Sequence, residues 1–139
     1  MKRFRFNLEK VLKLRQYREQ ETKIELGKAI SILTEIENHI KQNAAQRSHA
    51  AQERFADPAS TPAWDNYILR LEQQTERLMN DAAQAQLVVE KKRELYLDAS
   101  RELKVIEKLK EQREQEYRKE MFAAETKERD DIRRKPVEV

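Results

Sequence analysis

The fold is decided at residues 56–62, which read Ala-Asp-Pro-Ala-Ser-Thr-Pro and interrupt two long stretches of helix-forming sequence. Each proline biases the residue before it away from the helical conformation, so two prolines this close together favour a turn. Thr61 followed by Pro62 also suits the N-cap and first turn of a new helix. The sequence therefore predicts a turn at residues 56–61 between two helices.

Apolar residues recur every three or four positions before this break. Leu8 and Leu12 begin the stripe, and Val11 and Leu14 are expected to widen it. The stripe continues at Thr22, Leu26, Ala29, Leu33, Ile36, Ile40 and, after a weaker stretch at Asn43 and Arg47, at Ala50. Spacing of this kind places the apolar side chains along one side of a supercoiled helix. We predict a first helix over about residues 7–55.

The stripe resumes after the break and is longer. Its positions are Trp64, Ile68, Leu71, Thr75, Leu78, Ala82, Ala85, Val89, Lys92, Tyr96, Ala99, Leu103 and Ile106, and all but Thr75 and Lys92 are apolar. The same register continues through Lys110, Arg113, Tyr117, Glu120, Ala124, Lys127 and Asp131, which are mostly polar. We predict a second helix over about residues 62–134. Because an isolated helix is only marginally stable, we expect residues 121–139 to fray in the free protein.

Together the two stripes predict an all-α fold, in which two long helices form an antiparallel coiled-coil hairpin. A short turn joins consecutive helices antiparallel, so residue i should lie near residue 117 − i. Charged residues make up 40% of the chain and aromatic residues 6%, a composition that also occurs in disordered proteins. The regular stripes favour the helical pair, which we expect to be one unit over residues 1–139.

The composition argues against catalysis. The chain has no cysteine and one glycine, which excludes disulfides, thiolate metal sites and glycine-rich phosphate-binding loops. His39 and His49 lie off the stripe without obvious companion ligands. A pair of helices also lacks the deep pocket that general acid–base chemistry requires. We expect no catalytic residue, no metal and no cofactor.

Basic charge is concentrated near the start of the chain. Residues 1–20 contain seven Lys or Arg and two Glu. Phe4 and Phe6 are interleaved with these basic residues but stand outside the stripe, and the acidic residues of the second helix dilute the field. We therefore favour an acidic protein partner over nucleic acid. No segment approaches the roughly 18 apolar residues of a membrane span, so we expect a soluble protein that contacts membranes only indirectly.

Two segments resemble the flagellar FliJ family. Residues 4–15 read Phe-Arg-Phe-Asn-Leu-Glu-Lys-Val-Leu-Lys-Leu-Arg, similar to the F-R-F-x-L-E-x-V-L-x-L-R start of that family. Residues 106–120 read Ile-Glu-Lys-Leu-Lys-Glu-Gln-Arg-Glu-Gln-Glu-Tyr-Arg-Lys-Glu, similar to its L-E-K-L-K-E-R-x-x-x-E-Y-x-x-E segment. The order and separation of the two segments also fit. The resemblance implies a non-enzymatic component of the bacterial flagellar protein export apparatus.

The resemblance also implies partners. FliJ proteins fold as antiparallel coiled coils similar to the central stalk of rotary ATP synthases. Their terminal end inserts into the hexameric export ATPase, they contact the cytosolic domain of the export gate, and they help to recycle substrate chaperones. The implied location is the cytoplasm, at the cytoplasmic face of the cell membrane beneath the flagellar basal body.

Candidate contact residues follow from this resemblance. The residues expected to bind the ATPase ring are Arg5, Lys13, Arg15, Lys110, Arg113 and Arg118. The residues expected to bind the export gate are Trp64, Tyr67, Ile68, Leu69, Leu71 and Met79. Trp64 has two interpretations, a core residue that closes the turn or an exposed docking anchor. For the whole chain, the alternative is a scaffolding coiled coil or a stalk homologue from a virulence-type secretion system.

Overall fold

The computed structural model describes residues 3–134, except for the side chain of Arg134. Helix α1 spans Glu9–Glu53, a short 3₁₀ helix spans Pro58–Ser60, and helix α2 spans Thr61–Arg134. The two long helices pack against each other, and no strand occurs within the described part of the chain. The all-α antiparallel helix pair predicted from the two stripes is confirmed.

The helices contribute to two compact units. The terminal unit comprises Met1–Glu19 and Asp98–Val139, and the turn unit comprises Gln20–Leu97. The antiparallel register of each unit follows from its ion pairs. In the terminal unit Arg15 contacts Glu102, the partner expected for residue 15. In the turn unit Arg47 contacts Glu72, within one helical turn of residue 70, the position expected to face it.

The turn satisfies its own polar groups. The Asp57 carboxylate accepts a hydrogen bond from the Ala59 backbone N–H at 3.1 Å and another from the Ser60 hydroxyl at 3.0 Å. The Thr61 hydroxyl donates to the carbonyl of Arg54 at 2.8 Å. This carbonyl lies just beyond the end of α1, where backbone acceptors lack helical partners. The Asp57 side chain therefore caps the 3₁₀ helix, and the Thr61 hydroxyl supplies a partner for the carbonyl that follows α1.

The core of the turn unit follows the predicted stripe. Ala29, Ala50, Leu71 and Val89 are buried, and every other stripe position of α2 between residues 64 and 96 is at least half-buried. No polar side chain is buried among the residues that the structure describes. The apolar strip is narrow, and it is formed by the residues that the 3.5-residue spacing selects.

The core of the terminal unit differs from the prediction in its first turn. Phe6, Leu12 and Ala99 are buried, although Phe6 precedes α1 and lies outside the stripe. The Phe6 carbonyl accepts a hydrogen bond from the Glu9 N–H at 3.2 Å. The expectation that Leu14 widens the apolar face is wrong, since this side chain is exposed. Leu14 lies about 200° around the helix from Leu12, because each residue turns a helix by about 100°.

The stripe of α2 changes period within the terminal unit. Arg113 and Glu120, which the heptad register placed on the stripe, are exposed. Glu114 and Met121, each one residue later, are half-buried instead. Lys110 and Met121 are both half-buried and lie eleven residues apart, which is the interval of an eleven-residue repeat. An eleven-residue repeat corresponds to about 3.67 residues per turn and a heptad to about 3.5. The first value is closer to the 3.6 residues per turn of a straight helix, which accounts for the slip.

Replacing Lys92 by Leu is expected to raise the free energy of unfolding by about 1 kcal/mol, because an apolar side chain at a stripe position buries more apolar surface. Lys92 is half-buried on the stripe, whereas the neighbouring Lys91 is exposed. Urea denaturation followed by circular dichroism measures the difference. Lys91→Leu is the matched control and should leave the midpoint unchanged. Equal midpoints for the two variants would show that position 92 gains nothing from an apolar side chain.

Residues 121–134 are expected to exchange their amide hydrogens quickly in the free protein. The structure continues α2 to Arg134, but every described side chain from residue 122 to residue 133 is exposed. Without packing, a helix of this length is marginal. Hydrogen exchange should show strong protection at 26–40 and 78–103 and little beyond 121. Strong protection of 121–134 at low protein concentration would contradict the prediction. The sequence-based prediction extends to residues 135–139, which lie outside the described residues.

Candidate partner-binding surfaces

The terminal unit brings the two motif segments together. The Phe4 and Tyr117 rings lie 5.5 Å apart at an interplanar angle of 46°. Farther along the pair, Lys110 Nζ lies 3.2 Å from Glu9 Oε2. Residues 4–15 and residues 106–120, widely separated in sequence, therefore lie side by side.

Two of the six basic residues expected at the ATPase ring are held in ion pairs. Arg15 contacts the Glu102 carboxylate, and Arg18 reaches the same carboxylate at 3.4 Å. Lys110 pairs with Glu9. Both Arg15 and Lys110 are half-buried. Their charges are partly balanced by these carboxylates, so Arg15 and Lys110 are less available to a partner than unpaired cations are.

The other four residues of that set are each exposed, and we call them the free basic set: Arg5, Lys13, Arg113 and Arg118. None of them makes an ion pair within residues 3–134. The excess of positive charge comes from the first segment of the unit, since residues 3–19 contain six basic and two acidic side chains. These cations are available to acidic groups of a partner.

A groove of about 520 Å³ lies in the terminal unit, and we call it the terminal groove. It is lined by Arg3, Phe4, Arg5, Tyr117, Glu120, Met121 and Ala124. Sequence periodicity did not indicate this groove, because Phe4 and Phe6 precede the first helix. The usable signal was the pair of aromatic residues just before a helix start, where apolar side chains often pack back on a helix.

Trp64 lies at the centre of a second groove, in the turn unit. Its ring meets His49 at 6.5 Å and Tyr67 at 6.0 Å, both edge to face. The Tyr67 hydroxyl donates to Gln46 Oε1 at 3.4 Å. This turn groove, of about 640 Å³, is lined by Ala45, Gln46, His49, Ala63, Trp64 and Tyr67. Trp64 is half-buried and contacts His49 of α1, whereas its interpretation as a docking anchor stays a prediction.

The remaining residues expected at the export gate do not share that groove. Leu71 is buried in the helix–helix core, and Ile68 is half-buried beside it. Leu69 and Met79 are exposed. Met79 lines a different groove with the Arg47–Glu72 ion pair, whose atoms are 2.7 Å apart. The structure therefore joins Trp64 to Tyr67 and places Met79 elsewhere.

The sequence profile of the flagellar FliJ protein family matches residues 4–135, nearly the whole chain. The chain belongs to the flagellar FliJ family. This confirms the resemblance carried by the two motifs and makes the chain a flagellar export-related protein of a non-catalytic family. No curated protein and no solved structure matches the chain.

Two further observations bear on what this FliJ-family chain can bind. No helix in the described part of the chain is long and apolar enough to cross a membrane. Within residues 3–134, no group of three or more His, Asp or Glu side chains is arranged to hold a metal ion.

Proposed function

We propose that this FliJ-family chain acts as the stalk-like subunit of the flagellar export ATPase. The terminal unit inserts into the hexameric ATPase ring, and the chain couples the ring to the cytosolic domain of the export gate. It works at the cytoplasmic face of the membrane and assists in recycling substrate chaperones. The observation that carries the proposal is the convergence of both family motifs beside the free basic set.

Charge supports the ring contact. Arg5, Arg113 and Arg118 present planar guanidinium groups, which bind carboxylates through two parallel hydrogen bonds. Lys13 adds a fourth exposed cation. Contacts of this kind speed association and select an acidic partner, while the ion pairs of Arg15 and Lys110 keep the helices in register. An acidic lining of the ring is the complement that this surface requires.

The turn groove supports the contact with the gate. Trp64 and Tyr67 offer partly exposed aromatic surface next to His49, and aromatic residues are the side chains most often found at energetic centres of interfaces. We therefore centre the gate contact on Trp64 and Tyr67. Leu71, being buried, supports the helix pair and does not touch the partner. The chaperone role is carried by family membership alone.

Reversing charge in the free basic set tests the ring contact. The variant Lys13→Glu with Arg113→Glu should bind the purified export ATPase at least about tenfold more weakly and should fail to stimulate ATP hydrolysis. Both residues are exposed and unpaired, so the circular dichroism spectrum should remain helical. Titration at moderate salt measures the affinity, since exposed charge contacts are screened as salt rises.

The matched control is Arg70→Glu with Arg77→Glu in the turn unit. These two arginines are also exposed, lie on α2 and make no ion pair within the described chain. The control should bind the ATPase as the unaltered chain does. If both double variants bind equally well, the terminal unit does not contact the ring through these cations, and the proposal fails.

A further inference from the structure

The floor of the terminal groove is apolar and is formed by two distant parts of the chain. The Phe4 ring leans on Tyr117, and Met121 lies one turn farther along α2. Phe4 belongs to the segment that precedes α1, which returns to the helix pair through buried Phe6. At about 520 Å³ the groove lies within the range of pockets that enclose a ligand group. It can accept one large apolar side chain.

The edge of the groove is cationic. Arg3 and Arg5 line it, both are exposed, and neither makes an ion pair within residues 3–134. Among the residues that the structure describes, the one acidic side chain that lines the groove is Glu120. Two guanidinium groups against one carboxylate leave a local charge of +1. Carboxylates of a ligand would therefore be attracted to the edge, where each arginine can form two parallel hydrogen bonds.

We propose that the terminal groove binds an acidic protein segment that carries a single large apolar anchor residue. The anchor enters between Phe4, Tyr117 and Met121, and flanking Asp or Glu side chains pair with Arg3 and Arg5. The identification of this segment as part of the export ATPase rests on the proposed function; the chemistry of the groove does not. A phosphate group could satisfy the arginines, but it would leave the apolar floor without a partner.

The direct test is a titration of the full-length, ¹⁵N-labelled chain with a short synthetic peptide, in which one Phe is flanked by Asp and Glu residues. Amide shifts should be concentrated in residues 3–6 and 117–124. A peptide with Ala in place of Phe, and one with Asn and Gln in place of the acidic residues, should each bind at least about tenfold more weakly. Equal binding of all three peptides would overturn the proposal.

Variants of the chain test whether peptide affinity falls when the edge of the groove loses positive charge and rises when it loses negative charge. Arg3→Glu with Arg5→Glu should weaken peptide binding at least about tenfold, because the edge becomes acidic. Glu120→Gln should strengthen binding by about twofold or more, since it removes the opposing carboxylate. Arg70→Glu with Arg77→Glu is the control and should leave the affinity unchanged. An unchanged affinity in the Arg3 and Arg5 variant, or equal shifts with an oligonucleotide in place of the peptide, would overturn the proposal.

Failure of this inference can be separated from failure of the proposed function. If the ATPase ring loses affinity for the Lys13 and Arg113 variant while the acidic peptide does not bind the unaltered chain, the stalk function stands and the groove proposal falls. If the peptide binds at the groove while the ATPase does not bind the unaltered chain, the groove stands and the proposed function falls. Loss of both interactions in the Arg3 and Arg5 variant supports the two together.

Discussion

Val89→Asp is expected to unfold the turn unit. The Val89 side chain is 2% exposed, less than the larger Leu12 and Leu71 side chains at 4%. No cation is buried nearby to balance a carboxylate, because the described chain has no buried polar side chain. Burying an unpaired charge costs several kcal/mol even after the structure relaxes. A narrow helix pair does not retain its fold against that cost.

The adjacent valine provides a matched control. Val88 is 46% exposed, so its replacement by Asp leaves the new carboxylate in water. Both variants make the same chemical change on the same helix, and valine and aspartate have similar helix propensities. Thermal melting followed by circular dichroism should show a large loss of helix for Val89→Asp and a nearly unchanged midpoint for Val88→Asp. Similar melting of the two variants would mean that position 89 is not in the core.

Phe6→Ala is expected to destabilise the terminal unit by about 3 kcal/mol, the loss typical of a buried phenylalanine. Phe6 is 9% exposed, although it precedes α1. Its removal takes away part of a small apolar core whose other buried residues are Leu12 and Ala99. Denaturant unfolding gives the free energy, and hydrogen exchange shows whether the loss falls on residues 9–19 and 98–117.

Phe122→Ala is the control for this change, because Phe122 is 71% exposed on the same unit. Its free energy of unfolding should change by no more than about 0.5 kcal/mol, as at most exposed positions. A cost for Phe122→Ala that equals the cost for Phe6→Ala would show that the end of α2 is covered in solution. The comparison therefore also tests the exposure of the helix beyond residue 121.

These effects share a physical origin in the small size of the core. A pair of helices that meet along a single apolar stripe buries little apolar surface. Each buried side chain therefore contributes a large part of the free energy of unfolding. Partner binding to the folded chain adds stability through mass action. If the proposed function is right, the export ATPase should therefore raise the melting temperature, and more so for the unaltered chain than for a variant of the free basic set.

The sequence by itself determined the secondary structure and the faces that pack. Two prolines within residues 56–62 placed the turn, and the 3.5-residue spacing from Trp64 to Ile106 selected side chains that are at least half-buried throughout. The spacing predicts the buried face because all residues of one helix face belong to a single continuous segment, in which they recur every three or four positions. The family motifs were readable for the same reason, since each occupies one short stretch.

Only the tertiary structure decided which distant residues meet. The ring contact of Phe4 with Tyr117 joins segments more than a hundred residues apart, and no local period encodes that contact or the burial of Phe6. The slip from Arg113 to Glu114 follows the change from a heptad to an eleven-residue repeat, which the apolar pattern up to Ile106 did not indicate. Arg15 and Lys110 form ion pairs across the two helices, whereas the residues of the free basic set form none among the described residues. Spacing fixes the face of each helix, whereas packing across the pair fixes which side chains remain free to bind.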